Sequence, residues 1–300
     1  MDRRDFLKWN LKAIAFSLLG PKFSWGSPKR ERSIVVAVKG EIKEAVEAGI
    51  KELNGLAFIR PGSRVLIKPN ISFRNSPDMA TTTTPGVVRA LVDLIAGQKP
   101  RSIKVVDNTL TDPEACMQNT GIREALRGTP AELRVVKERQ GFQKVTIKGA
   151  AVEEVELMKE VLESDLLIPV PIAKHHSSAG VSLSMKGMMG LIYDRSSFHY
   201  RYDLHTAIVD LAAYLKPPLV VIDMTKALTT NGPSGPGEVA WLNTVVVSND
   251  MVAADAYVVK KVKWYGREIE PFRVKHIEIA HKRGVGVGNL KDVEIIEKTI

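Results

Sequence analysis

Runs of β-branched residues alternate with segments of helical period from residue 33 onward, and this alternation narrows the available folds more than any other feature. SIVVAVK (33–39) is followed by EIKEAVEAGIKELNG (41–55), whose apolar residues recur at helical spacing and end at Gly55. VLIKPN (65–70), closed by Pro69, leads through a polar loop with four threonines, Thr81 to Thr84, into PGVVRALVDLIAG. There Thr84 is placed as N-cap and Pro85 as the first helical residue. SIKVVDN (102–108) is the third strand. Strand, helix and strand in that order predict βαβ units: an α/β fold with a mostly parallel sheet, helices on both faces and a single domain.

The later chain continues the pattern. Residues 112–127 read as a helix, LRVVKE and KVTIKG as short strands, and DLLIPVP (165–171) as an apolar strand. Residues 203–215 are helical, with Leu204, Ile208, Leu211 and Leu215 on one side. LVVIDM (219–224) ends in Asp223, and the glycine–proline loop TTNGPSGPGE separates it from WLNTVVVS (241–248). Asp250 caps a helix beginning MVAADAY, and a last helix near 271–283 leads through GVGVGN to the closing strand VEII.

Several of these strands end in polar side chains: Lys68 and Asn70, Asp107 and Asn108, Lys174 with His175 and His176, and Asp223. In a parallel sheet such ends share one edge, where helix N-termini also point free N–H groups, so residues far apart in sequence meet in one crevice. The stretch 169–205 carries the densest chemistry. It reads as a long polar crossover after the apolar strand, and it holds four of the six histidines (His175, His176, His199, His205). Lys174, Lys186 and the pair Asp194–Arg195 lie in it too. Lys68, Lys174, Lys186 and Arg195 form a cationic set suited to a carboxylate or phosphate, Arg195 by its fork and the lysines as point charges. Lysine whose pKa falls on burial also serves as a base or Schiff-base nucleophile. Ion pairing with Asp107, Asp194 and Asp223 is the plainer role for the same cations. The histidines suit proton exchange, with His176 and His199 foremost. With Asp194 or Asp223 they also suit a metal or metal-bearing cofactor, although their spacing matches no fixed metal motif and identifies no ligand set. Met185, Met188 and Met189 read as packing.

Other chemistries find no support. NGPSGPG lacks the Gly-Lys-Ser/Thr ending of a P-loop, GVGVG follows a helix and precedes a strand, and no G-x-S-x-G elbow exists. A net charge of +9 favours anionic ligands, yet no dense Lys/Arg run with interleaved aromatics argues for nucleic acid. Cys116 is the single cysteine, so a disulfide framework and a thiolate-held iron–sulfur cluster are both excluded.

A third of that net charge falls in residues 1–27, which hold five Lys/Arg against two Asp. Arg3-Arg4-Asp5-Phe6-Leu7-Lys8 resembles a twin-arginine export signal, and the apolar segment behind it, broken by Lys12 and Pro21-Lys22, is too short to span a membrane. Residues 1–27 are therefore expected to be a targeting segment, the protein periplasmic or otherwise exported, and the twin-arginine machinery a partner. Without an A-x-A cleavage site, an uncleaved leader that associates with the membrane is the alternative.

From residue 33 to 297 the motifs VLIKPN, VVDN, VPIAKHHSSAGVSLSMKGMMG, FHYRYDLHTAIVDL, LVVIDM, GPSGPG, SNDMVAADAY and HIEIAHKRGVGVG resemble, in this order, the domain-of-unknown-function 362 family. By motif the resemblance implies roles for Lys68, Asn70, Lys174, His176, Lys186, Asp223 and Asp255. Some relatives carry ferredoxin-like cysteine clusters, from which this chain departs. It also has Gly187 where the family usually has asparagine after the lysine. A looser likeness in layout to the nickel-pincer lactate racemases covers the strand–threonine–helix–strand order. The expectation is an enzyme acting on a small anionic substrate, with or without a metal or cofactor. In it Lys68, Asn70, Lys174 and Arg195 bind the substrate, His176 and His199 exchange protons, Lys186 adds to the catalytic set, and Asp223 orients a lysine or histidine. The alternative is a non-catalytic cofactor-binding or redox-accessory protein using the same crevice.

Overall fold

The computed structural model describes residues 32–300, so the arginine pair and the rest of the leader lie outside the described residues. In chain order the strands are β1 (Ile34–Lys39), β2 (Arg64–Pro69), β3 (Ser102–Asp107), β4 (Ala131–Val135), β5 (Phe142–Thr146), β6 (Glu154–Met158), β7 (Leu166–Val170), β8 (Ile172–His176), β9 (Gly180–Ser182), β10 (Val220–Leu228), β11 (Val239–Ser248) and β12 (Glu294–Thr299). The architecture is α/β, as the alternation predicts. β4, β3, β2 and β7 form a wholly parallel sheet. A second, six-stranded sheet runs β12-β1-β11-β10-β8-β9, and it is mixed. Its antiparallel centre follows from the glycine–proline loop, which joins β10 directly to β11 as a hairpin, a connection only antiparallel strands can use. β5 and β6 pair separately as an antiparallel ribbon.

Period-two alternation puts helices on both faces of the mixed sheet. Val36, Val38, Val221, Val245 and Val247 enter one core, shared with the helices Ile42–Glu52 and Pro85–Ala96. Val35, Ala37, Ile222 and Val246 enter the other, with the helices Leu204–Leu215, Met251–Lys261 and Lys275–Lys282. Each such fully buried aliphatic side chain contributes roughly 1.5–3 kcal/mol of transfer free energy. Among the described residues no helix is long and apolar enough to cross a membrane.

The two sheets meet where the chain steps from β7 to β8 through Pro171. Asn70 Oδ1 accepts the Ile172 N–H at 3.0 Å, Thr83 Oγ1 donates to the Val170 carbonyl at 2.7 Å, and the Asp223 N–H donates to the Pro171 carbonyl at 2.8 Å. This step carries the polar stretch after β7 over the ends of β2 and β3.

Three local expectations change. Residues 172–182, read as part of a crossover loop, form the β8–β9 hairpin. The helix expected over 112–127 breaks at Gly121, whose φ of 72° glycine tolerates best, into Pro113–Asn119 and Ile122–Ala125. Thr84 does occupy the N-cap position, but its hydroxyl pairs with that of Thr225 at 3.1 Å instead of capping.

Candidate functional site

The site begins at the parallel ends of β2 and β3. Lys68 and Asp107 are 2% and 0% exposed and pair at 2.8 Å. Asp107 also accepts the Ile71 N–H at 2.7 Å, the Asn108 N–H at 2.9 Å and the Ser72 hydroxyl at 3.2 Å. Lys68 donates further to the Pro69 carbonyl at 2.6 Å. Burial pulls the Lys68 pKa down, while Asp107 partly restores it. Gly190 lies against this pair: a side chain there would collide with Asp107 Oδ1 and the Lys68 ammonium. Its carbonyl takes the Asn108 N–H, and Asn108 Nδ2 donates to the Ile192 carbonyl.

β8 adds the next residues. Strand alternation turns Lys174 and His176 to one face and His175 to the other. Lys174 donates to the Thr81 carbonyl at 2.6 Å and sits over the Phe73 ring, 5.1 Å from its centroid. Burial, then the charges of Lys68, Lys186 and Arg195 against the opposing pull of Asp107, bring its pKa to about 7. His175 leaves the site: its Nδ1 accepts the Gly232 N–H, and its ring meets Tyr265 edge-on. His176 Nδ1 accepts the backbone N–H groups of Ser178 and Ala179, which places its proton on Nε2. Its ring stacks on His199 at 5.7 Å, with 8° between the planes. Burial first, then Lys186, His199 and Lys174, push the His176 pKa down to about 2. His176 is thus a neutral ring with its proton on Nε2 in this setting. The half-buried His199 ring is also lowered, by burial and by Lys186.

The turn Ser184–Gly187 carries Lys186. Asp255, on the helix Met251–Lys261, fixes this turn by accepting the Ser184 N–H at 2.8 Å and the Met185 N–H at 3.0 Å, together with the Ser184 hydroxyl. The Asp255 carboxyl is pushed up to about 7 by burial, against those three donors. Lys186 itself has no hydrogen-bond or ion-pair partner among the described residues, and burial, then Arg195 and Lys68, lower it to about 7. Arg195, the first residue of the helix Arg195–Tyr200, reaches Ser72 at 3.4 Å through Nη1 and leaves Nη2 buried with no partner. Lys68, Lys174, Lys186 and Arg195 therefore lie close enough to act on one another's charge, with Asp107 the one carboxylate paired among them. Such buried excess charge costs several kcal/mol per ion unless an anion compensates it.

Asn70 joins this group only as an anchor of Ile172, and Asp223 stands elsewhere. Asp223 accepts the N–H groups of Thr84 at 2.7 Å and Thr225 at 3.0 Å, and the Thr225 hydroxyl at 2.6 Å. These are backbone and hydroxyl donors, so the expected role of orienting a lysine or histidine falls away. His205 pairs with His276, not with His176, their rings stacked at 5.7 Å. Among the described residues no three His, Cys, Asp or Glu side chains converge as a metal-ligand set, and four of the histidines form two stacked pairs, His176–His199 and His205–His276. Cys116 is buried against the Thr111 hydroxyl.

Residues 65–260 match the family described as Domain of unknown function (DUF362). The chain belongs to that family. A thylakoid-associated protein of Synechocystis sp. is 25% identical over 226 residues, covering 72% of this chain and 68% of that one. Two solved structures are similar at 13% identity. The lactate racemase apoprotein of Thermoanaerobacterium thermosaccharolyticum has a TM-score of 0.46 and covers 66% of this chain and 51% of its own. A protein of Thermotoga maritima has a TM-score of 0.43 and covers 67% and 55%. This chain thus spans about half the length of those two.

In this DUF362 member, sequence reasoning missed Ser72 and Phe73, whose loop position gave no signal, and His276, which lies fully buried with both ring nitrogens unpartnered. Its burial, the stacked His205 and Lys186 bring the His276 ring down to about 3. His276, on the short helix Lys275–Lys282, gives no sequence sign that it will meet His205.

Proposed function

We propose that this protein is an enzyme acting on a small anionic substrate held by Lys68, Lys174, Lys186 and Arg195. One observation carries this reading: four basic side chains, two of them with unused hydrogen-bonding capacity, cluster with a single buried carboxylate, Asp107, paired among them. A carboxylate or phosphate placed there would accept from Arg195 Nη2 and Lys186 and offset the excess charge. It would also raise the His176 pKa, since cations are part of what depresses it. His176 then offers an Nε2–H toward developing negative charge, and the more open His199 exchanges protons with solvent, work that is worth roughly 10²–10⁴-fold in rate. We place the protein outside the cytoplasm on the strength of Arg3-Arg4 and the short apolar segment behind them.

Calorimetric titration with phosphate, malonate and glycolate, on the protein and on its Arg195→Met variant, tests the site. Saturable binding of at least one anion that the variant loses while keeping its circular dichroism is expected. Binding no tighter than that of chloride, or unchanged in the variant, would remove the proposal. Replacing Arg3 and Arg4 by lysines tests the compartment: the protein should remain in the cytoplasm, and undiminished export would refute that placement.

A further inference from the structure

Three of the four clustered cations already have partners. Lys68 holds Asp107 and the Pro69 carbonyl, Lys174 donates to Thr81, and Arg195 reaches Ser72. Lys186 is the exception: its amine meets no acceptor among the described residues, and the charges it feels most are those of Arg195 and Lys68, both positive. The turn that carries it is fixed at its start by the three donors to Asp255, so the side chain projects from a rigid base. Beside it Arg195 Nη2 is sealed from solvent with its donors unused. An unpaired amine next to an unfilled guanidinium fork matches a molecule that bears a carboxylate directly adjacent to a carbonyl carbon.

Resting on the reading of this site as one for a small anion, we propose that Lys186 is an imine-forming nucleophile and that the substrates are small 2-oxo acids. Arg195 holds the carboxylate, and the Lys186 nitrogen lone pair attacks the neighbouring carbonyl carbon. A C–N bond forms and the carbonyl oxygen becomes a hydroxyl, taking a proton that the nitrogen gives up. The C–O bond then breaks, and that hydroxyl leaves with the second amine proton as water. The sum is amine plus ketone giving imine plus water, with no oxidant or reductant. His176 Nε2–H is the hydrogen-bond donor to the carbonyl oxygen as charge develops on it. Lys174 is a poorer candidate because its amine is already bound to Thr81. With Lys186 brought to about 7 by burial and its cationic neighbours, a large share of the amine carries a free lone pair at neutral pH, unlike an ordinary lysine near 10.5.

The test incubates the protein with pyruvate and cyanoborohydride, digests it, and locates added mass by peptide mapping. The expected result is one dominant adduct on Lys186, with the mass of pyruvic acid less one oxygen, suppressed by excess propionate and absent in Lys186→Arg. Its formation rate should reach half its plateau near pH 7. Thermal shift with propionate, which has the carboxylate but no carbonyl, runs in parallel. If propionate stabilises the protein and Lys186 gains no more label than surface lysines, the imine proposal is overturned and the anion site stands. If neither effect is seen, both fall.

Discussion

Two fully buried carboxylates, Asp107 and Asp223, present the same sequence signal and play different parts. Each closes a β-branched run, SIKVVD and LVVID. Asp107 is the last residue of β3 in the parallel sheet, and at that edge it meets Lys68, Ser72 and the cationic cluster. Asp223 lies in the middle of β10, which continues to Leu228 through an irregularity in its pairing with both neighbours. Its oxygens are taken by two amides and a hydroxyl, which fix the start of the helix Pro85–Ala96. At Asp107 the strand stops in a parallel sheet, and the polar residue after the apolar run faces the cluster. At Asp223 an antiparallel hairpin prolongs the strand, and the same kind of residue becomes internal scaffolding.

The sharpest way to break this comparison is to remove each carboxylate in turn. Asp107→Asn leaves Lys68 and Arg195 buried without their carboxylate, and stability should fall by roughly 3–5 kcal/mol in urea denaturation. Added phosphate should restore part of that loss. Asp223→Ala removes an acceptor without freeing a charge, so it should cost about 1–3 kcal/mol and leave anion affinity in the remaining folded protein unchanged. If Asp223→Ala abolishes anion binding, or Asp107→Asn proves the milder change, the division between site and scaffold is wrong.

A smaller effect concerns Gly187. Its backbone is helical, with φ −58°, and an added Cβ would find only Pro171 Cβ at 3.7 Å and Asn70 Nδ2 at 3.9 Å. Gly187→Asn should therefore be accommodated, raising stability by about 0.5 kcal/mol or less through the lost freedom of glycine in the unfolded chain. A drop beyond ~1 kcal/mol would show that the turn needs glycine for a reason the packing does not reveal.

The α/β class and the place of Lys68 at the end of β2 were legible because binary pattern and strand ends are local signals with a topological consequence, whereas Lys174 lies within β8, Lys186 on a turn and Arg195 at a helix start. The division into two sheets was not legible, since it depends on the step at Pro171 and on which neighbour β10 selects. The histidine pairings were equally hidden: stacking joins His205 to His276 across 71 positions, while the adjacent His175 and His176 part company on opposite faces of β8. Proximity in sequence overstated what those histidines share.

The most direct test of the central claim follows thermal stability against pH, with propionate or with chloride at equal ionic strength. In the folded protein Lys174 and Lys186 release protons near pH 7, whereas in the unfolded chain they return toward 10.5. The unfolded chain therefore holds more protons between about pH 7 and about pH 10, and stability without a ligand should rise with pH across that window. Propionate should raise the melting temperature by several degrees below about pH 7, where both amines are charged, and far less near pH 10. A flat profile, or a propionate effect matched by chloride at every pH, would contradict a buried cationic site built to receive an anion.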